Sequence, residues 1–175
     1  MTDKTSPNYD SITITLHWAT ATLVVVLWVT GQTAGWIPKG PINTDYRSIH
    51  VVLGFALTIL LLWRIIWRGV GGRRLPAADT GALQILAEAT HTVLYLLLLT
   101  ALTLGVVNAF VRAHNLFDVV SLPQLGDRAL RRSITQWHGL AANLVLGLAF
   151  LHAAAALAHH YVFKDGVLRR MLPVR

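Results

Sequence analysis

The 175-residue chain is predicted to be an all-α membrane protein, a bundle of four transmembrane helices. Hydrophobic residues make up 54% of it and charged residues only 13%, which is too apolar for an ordinary soluble domain. The apolar residues fall into four stretches, each long enough to cross a bilayer. We therefore expect a single membrane domain over residues 1–175, with spans at about residues 12–35, 46–67, 82–111 and 134–163.

The first span follows a short polar segment that lacks the basic region and small-residue cleavage site of a secretory signal, so we expect a retained helix. Trp36 lies just past its end, as an interface anchor would. Residues 38–45 contain two prolines and a glycine and are predicted to form a turn. The second span ends with aromatic and basic residues together, as at a membrane interface, namely Trp63-Arg64 and Trp67-Arg68.

The remaining connections are polar and rich in turn residues. Residues 69–79 carry glycines, two arginines and a proline, and residues 112–133 form the longest loop. The third and fourth spans lie on either side of that loop, and residues 164–175 form a basic tail. Four spans place both termini on one side of the membrane.

Lysine and arginine counts predict which side that is. With both termini inside, the inner segments hold nine, namely Lys4, Arg64, Arg68, Arg73, Arg74, Lys164, Arg169, Arg170 and Arg175. The outer segments hold six, namely Lys39, Arg47, Arg112, Arg128, Arg131 and Arg132. Nine against six favours cytoplasmic termini. The outer face nonetheless has a net charge of +3, which indicates either a bland surplus or a positive field that recruits an anion or neutralises haem propionates.

Composition excludes several kinds of site. Cysteine is absent, so the chain has no disulfides, zinc–thiolate sites, iron–sulfur clusters or thiol nucleophiles. With only two methionines, histidine is the plentiful haem ligand. The net charge of +7 comes with no nucleic-acid-binding pattern, and in a membrane protein it bears on orientation and surface field.

The fourth span carries two histidines on nearly one face. His138 and His152 are 14 residues apart, which is about 21 Å along a helix and about 40° short of four full turns. This separation suits two metal centres at different depths, at the distance of two stacked haems. The alternative is that these imidazoles are hydrogen-bonding contacts between helices. Small residues flank both positions and admit either a close helix or a flat macrocycle.

Depth predicts which histidines meet. His50 opens the second span and His138 the fourth, both from the outer side, so they can share one outer site. His152 lies in the inner half, where His17 of the first span or His91 of the third could be its partner. Spacing leaves that choice open. Bis-histidine ligation of a haem iron suits electron transfer.

Three further histidines lie beyond these sites. His159 is two turns past His152, near the inner headgroup boundary, where a quinone ring could be reached and where His91 could also donate. The alternative for His159 and His160 is interfacial packing or a propionate contact. His114, in the outer loop, is predicted to be a solvated surface residue.

Several motifs resemble the bacterial cytochrome b561 family. They are LHAAAALAHHYVFKDGVLRRMLP at residues 151–173, LHW at 16–18, IH at 49–50 and WHG at 137–139. The likeness covers essentially the whole chain and is greatest to the superoxide oxidase members. It implies a four-helix protein of the bacterial inner membrane with two haem b groups. By resemblance, His17 and His152 ligate the inner haem, and His50 and His138 the outer one.

The resemblance also implies an activity. Such proteins oxidise superoxide to oxygen at the periplasmic face and reduce ubiquinone, and the positions that match quinone contact are His91 and His159. The expected cofactors and partners are two haem b, superoxide, ubiquinone and membrane lipids. No nucleic acid is expected, and no protein partner is required.

Outer arginines are the candidates for steering superoxide. Arg47 lies three residues before His50, and Arg128, Arg131 and Arg132 lie within ten residues of His138. A cationic mouth raises the encounter rate of a small anion. The alternative function is a cytochrome b electron-transfer subunit that links the quinone pool to a soluble redox partner, with the same basic patch as its docking surface.

Overall fold

The computed structural model describes residues 8–78 and 80–173 and consists mainly of four long helices. They are α1 (Ser11–Thr33), α2 (Pro41–Val70), α3 (Gly81–Val111) and α4 (Arg131–Ala158), the last continued by a π-helical turn at His159–Phe163. Within the described residues, four segments are long and apolar enough to cross a membrane. The predicted fold class is therefore confirmed. Lys4 and Arg175, which entered the charge balance, lie outside the described residues.

The connections at the two ends differ. The end where α1 begins and α4 finishes is called the terminal face, and the end that holds residues 34–40 and 112–130 is called the far face. The long far-face connection contains a short antiparallel hairpin, β1 (Asn115–Leu116) with β2 (Val120–Ser121), and a 3-10 turn at Arg128–Leu130. A second 3-10 turn, Leu168–Met171, lies at the terminal face.

Helix α2 begins five residues earlier than predicted, so the second half of the turn predicted at residues 38–45 is helical. Proline suits the first position of a helix, where its missing N–H has no partner to lose. Gly40 precedes Pro41 with φ +156°, a conformation that favours glycine. The Asn43 side chain donates to the carbonyls of Ala34 and Ile37 at 2.8 and 3.0 Å. These contacts explain why residues 41–45 are helical although their composition predicts a turn.

Two apolar clusters hold the helices together. Leu27, Leu57, Leu61 and Leu102 join α1, α2 and α3 in one buried cluster. Ala101, Ala141 and Val145 join α3 to α4 in the other. The second cluster is built from small side chains, which let two membrane helices approach closely. The small residues predicted along α4 thus serve at least partly as a helix contact.

The terminal face is held by hydrogen bonds between distant segments. Asp10 caps α1 by accepting from the Thr13 N–H at 2.9 Å, and it also accepts from Trp67 Nε1 at 3.0 Å and the Arg73 N–H at 2.9 Å. Burial raises the pKa of Asp10, but a hydrogen bond from Thr13 Oγ1 at 2.7 Å, together with these three, outweighs it and lowers the pKa to about 2. The carboxyl-terminal segment joins this network where Arg170 O accepts from the Tyr9 N–H at 3.0 Å.

We expect Asp10→Ala to destabilise the protein by about 1 kcal/mol or more, because a helix cap and two links between segments are lost together. The depressed pKa means that the carboxylate stabilises the fold fully above about pH 4 and progressively less as the pH falls toward 2. Thermal unfolding in detergent at several pH values measures both effects. Asp45→Ala is the matched control, since Asp45 is exposed near the start of α2. Equal melting temperatures for the two variants at pH 7 would contradict the prediction.

Candidate functional site

Two pairs of histidines lie at different levels of the bundle. His50 of α2 and His138 of α4 form the far pair, with ring centres 6.3 Å apart. His17 of α1 and His152 of α4 form the near pair, also with ring centres 6.3 Å apart. The two α4 positions are separated by about 21 Å along the helix. The structure thus brings together His50 and His138, whose depths matched in the sequence, and it places His17 beside His152, a partner that spacing leaves open.

The spacing within each pair fits an iron between the two rings. An iron–nitrogen bond of about 2.0 Å, plus about 1.15 Å from that nitrogen to its ring centre, gives about 6.3 Å for two imidazoles on opposite sides of one iron. Both pairs have this separation. The donor set is also suitable, because neutral imidazoles are common axial ligands of haem iron. In ring spacing and residue type, each pair therefore fits a haem group.

His91 is a third imidazole at the level of the near pair. Its ring centre lies 5.2 Å from that of His152, about 1 Å shorter than an intervening iron requires. Its side chain is exposed, at a depth where exposure means access from the surrounding lipid. The spacing therefore favours His17 over His91 as the partner of His152, and the exposure of His91 suits contact with a lipid-soluble molecule.

Hydrogen bonds orient the rings of the far pair. His138 Nδ1 lies 2.9 Å from the carbonyl oxygen of Ala101, so it donates and its proton is on Nδ1. His50 Nδ1 lies 2.9 Å from Thr30 Oγ1, whose own proton is directed to the α1 carbonyls of Val26 and Leu27. Both rings therefore carry the proton on Nδ1, and the lone pair on Nε2 is the one that could bind a metal. Contacts of this kind fix the tautomer and orientation of ligating histidines.

In the near pair, the hydrogen bond to the histidine runs in the opposite direction, because the Nδ1 atom accepts it. Arg64 Nη2 lies 2.9 Å from His17 Nδ1, and a guanidinium can only donate. The neutral ring of His17 then carries its proton on Nε2, so this hydrogen bond must give way if His17 is to bind iron through Nε2. Arg64 also lies over the ring of Tyr95, 5.4 Å from its centre. Sequence analysis assigned Arg64 to the interface. An arginine within an apolar span is a signal of a specific partner.

Glycines make room for the rings of the far pair. A Cβ atom on Gly105 would lie 3.0 Å from His138 Cε1, and one on Gly31 would lie 3.2 Å from His50 Cε1. Each glycine therefore lets a neighbouring helix pass directly beside an imidazole. Sequence analysis assigned a role to neither glycine, because a lone glycine in a helix shows nothing about the ring beside it.

Cationic side chains gather at the far face beside the far pair. Burial and the charges of Arg131 and Arg47 lower the pKa of Arg112, and burial and the charges of Arg112 and Arg47 lower the pKa of His114. Arg112 therefore interacts electrostatically with Arg47, Arg131 and His114. His114 is half-buried, so the prediction that it is a solvated surface residue is wrong. The loop folds back over α2, where the Phe117 N–H donates to Ser48 Oγ at 2.9 Å.

The other two predicted arginines, Arg128 and Arg132, are exposed and lie near the start of α4. Arg128 is exposed and donates to the side chain of Gln124, and Arg132 is exposed on the first turn of α4. Sequence analysis did not assign Arg112 a role, although it donates to Thr135 Oγ1 at 2.8 Å and lies in the cluster. Arg112 directly follows a predicted span. Many arginines at a membrane interface have this position, so the sequence pattern does not single it out.

His159 has an acidic partner at the terminal face. Its Nδ1 lies 2.6 Å from Asp165 Oδ2, and the His159 side chain is 16% exposed whereas that of Asp165 is 37% exposed. The hydrogen bond from His159 and another from the Val167 N–H lower the pKa of Asp165. His160, the other histidine of this turn, has a buried Nδ1 without a hydrogen-bond partner in the described part of the chain.

Paired imidazoles at two levels of an apolar four-helix bundle define a class of protein, the membrane-embedded b-type cytochromes. The sequence profile of the prokaryotic cytochrome b561 family matches residues 8–174. The chain belongs to this family, so it is a multi-pass bacterial membrane protein of electron transport. Family membership implies haem b.

Relatives of similar length carry more than one name. The chain is 34% identical over 175 residues to cytochrome b562 of Cereibacter sphaeroides, with 97% of this chain and 98% of the relative covered. It is 30% identical over 173 residues to cytochrome b561 homolog 1 of Escherichia coli, with 93% and 95% covered. It is 28% identical over 173 residues to the probable superoxide oxidase CybB of Yersinia pestis, with 94% and 96% covered.

We expect His17→Ala to remove one haem and His91→Ala to leave both in place, because only the His17 ring is at iron-bridging distance from His152. Haem quantitation and the reduced-minus-oxidised spectrum of the purified variants measure this. Loss of a haem from His91→Ala, with retention in His17→Ala, would reverse the assignment.

Gly105→Val should lower the haem content toward half, because the added side chain overlaps the His138 ring. Gly147→Val is the matched control. Gly147 is nine residues further along α4, about 180° around it from His138, and a Cβ there meets nothing within 4 Å. A comparable loss of haem in both variants would show that the effect is one of helix propensity and not of the ring.

Proposed function

We propose that this protein is a superoxide:ubiquinone oxidoreductase of the bacterial inner membrane, with the far face periplasmic and the terminal face cytoplasmic. Two superoxide anions, one ubiquinone and two protons become two oxygen molecules and one ubiquinol. The proposed ligands are His50 and His138 for the outer haem and His17 and His152 for the inner haem. Haem b, when bound at these pairs, supplies one-electron carriers across the bilayer.

The cationic cluster at the far face is the observation that carries this proposal. Arg112 interacts electrostatically with Arg47, Arg131 and His114, and the charge of Arg47 also acts on His50 of the far pair. In the part of the chain that the structure describes, no carboxylate lies within 4 Å of any of the three arginines. Their charge is therefore not neutralised locally, and it is available to a small anion from solution.

These residues act through their field. A positive surface raises the local concentration of an anionic substrate and its rate of encounter, and salt weakens that effect. Loss of one electron from superoxide requires neither a nucleophile nor a general base. The far-face side chains therefore need only to attract the anion to the edge of the site.

At the terminal face, we propose that His91 and His159 bind the quinone and supply protons. The exposed ring of His91 suits a substrate that arrives through the lipid. His159 lies near the membrane boundary, where its hydrogen-bonded partner Asp165 is accessible to the aqueous phase. Imidazoles are the side chains most often used for proton transfer near neutral pH.

A second candidate is electron transfer between the quinone pool and a soluble redox protein. Two relatives named only as cytochromes are compatible with it. The observation that favours it is an apolar hairpin beside the arginines, in which Val119 is 83% exposed and Val120 53%. An apolar patch rimmed by positive charge suits docking of an acidic protein.

The test is the reaction of the purified protein with a pulse of superoxide, followed by reoxidation with a short-chain ubiquinone. We expect near-diffusional haem reduction in the native protein. Arg47→Gln combined with Arg131→Gln should slow this step several-fold at low salt, and the difference should shrink as salt is added.

Arg169→Gln is the control, because Arg169 is an exposed cation on the terminal face. It should leave the rate of haem reduction unchanged. Slow reduction of the native protein by superoxide, with fast reduction by a small acidic cytochrome, would favour the second candidate. A rate unaffected by the double substitution would exclude steering by those two arginines.

A further inference from the structure

The His159–Asp165 pair joins the last turn of the fourth span-capable segment to the residues that follow it. The Nδ1···Oδ2 distance is 2.6 Å, as expected for a strong hydrogen bond between an imidazole and a carboxylate. The imidazole is largely buried and the carboxylate is more than a third exposed. Asp165 therefore accepts a hydrogen bond from a buried ring while its own carboxylate is partly exposed.

The local backbone fixes this arrangement. The π-helical turn at His159–Phe163 ends at Lys164, which has the left-handed φ of +54°. This reversal lets the Asp165 N–H donate to the His159 carbonyl at 3.1 Å. The second carboxylate oxygen of Asp165 accepts from the Val167 N–H at 3.0 Å. Both oxygens of Asp165 are thus engaged, and π-helical turns are frequent at functional sites.

A third segment supports the same turn. Arg170 carries a charge that acts on Asp165, and its guanidinium donates to the Pro76 carbonyl at 2.7 Å. The carbonyl of Arg170 accepts from the Tyr9 N–H. The turn that presents Asp165 is therefore tied to the start of α1 and to the α2–α3 connection.

We propose that Asp165 is the positioning residue for proton donation by His159 to the quinone, an inference that rests on the proposed function. The carboxylate accepts the Nδ1–H, which holds the ring in one tautomer and leaves the proton-accepting lone pair on Nε2. A buried aspartate plays this orienting part for a catalytic histidine in hydrolases.

The proton balance is simple. His159 takes a proton at Nε2 from the cytoplasmic solution, and the carboxylate of Asp165 offsets the charge of the ring. When the quinone is reduced, the Nε2–H bond breaks and an O–H bond forms on a quinone oxygen. The ring returns to its neutral form with Nδ1–H still bonded to Asp165. Two electrons from two superoxide anions and two protons complete one ubiquinol.

The experiment compares Asp165→Asn, Asp165→Glu and Glu88→Gln with the native protein. Asparagine keeps the acceptor for Val167 but removes the charge and no longer specifies the tautomer of His159. We expect superoxide-driven haem reduction and the haem spectrum to be unchanged in Asp165→Asn. The maximal rate of reoxidation by a short-chain ubiquinone should fall roughly 10- to 100-fold with little change in KM, and Asp165→Glu should recover part of it.

A spectroscopic readout is independent of turnover. Infrared difference spectra recorded on electrochemical reduction of the bound quinone should contain a carboxylate band that is lost in Asp165→Asn and retained in Glu88→Gln. Glu88 is an exposed carboxylate on α3 toward the same face, so it controls for general loss of negative charge.

The outcomes separate the two levels of the proposal. Reoxidation of Asp165→Asn at the native rate, an equal loss in Glu88→Gln, or a carboxylate band unchanged in Asp165→Asn would overturn the role of Asp165 alone. Failure of the native protein to be reduced by superoxide or reoxidised by quinone would overturn the proposed function, and this inference with it.

Discussion

Two imidazoles of α4 each lie close to an imidazole of another helix, and the rest of this structure depends on that pairing. One helix face carries His138 and His152, and each ring meets a partner from another helix at the same centre-to-centre distance of 6.3 Å. That geometry requires α4 to be placed accurately against its neighbours. The contact of Ala101 with α4 supplies this, because small side chains let α3 and α4 approach while Gly105 leaves space for the ring beside it.

The two faces of the bundle handle charge in opposite ways. At the far face, the arginines beside the far pair have no carboxylate within 4 Å in the described residues, so their field extends into solution. At the terminal face, Asp10 and Asp165 are each held by several hydrogen bonds that lower the pKa of the carboxyl group. The first arrangement suits attraction of an anion. The second suits a stable aqueous boundary at which protons can enter.

Sequence reasoning reached the fold class and its four long apolar helices because apolar length alone dictates both in a membrane. It placed the start of α2 too late, because Pro41 and Asn43 act through capping and loop contacts that composition does not reveal. It missed the contacts of Arg64 and Asp165 for a related reason. The importance of each residue comes from the histidine beside it, and one of these lies 47 positions away in the chain.

The spacing of histidines along α4 follows from the sequence alone, since helix periodicity fixes both the rise and the angle between them. The same is true of the match in depth between His50 and His138. Only the tertiary structure decided that His17 and His91 both reach His152, at 6.3 and 5.2 Å, because a difference of 1 Å depends on helix packing. It also decided which arginines gather beside the far pair, because the long loop folds back over α2 through contacts that no local pattern encodes.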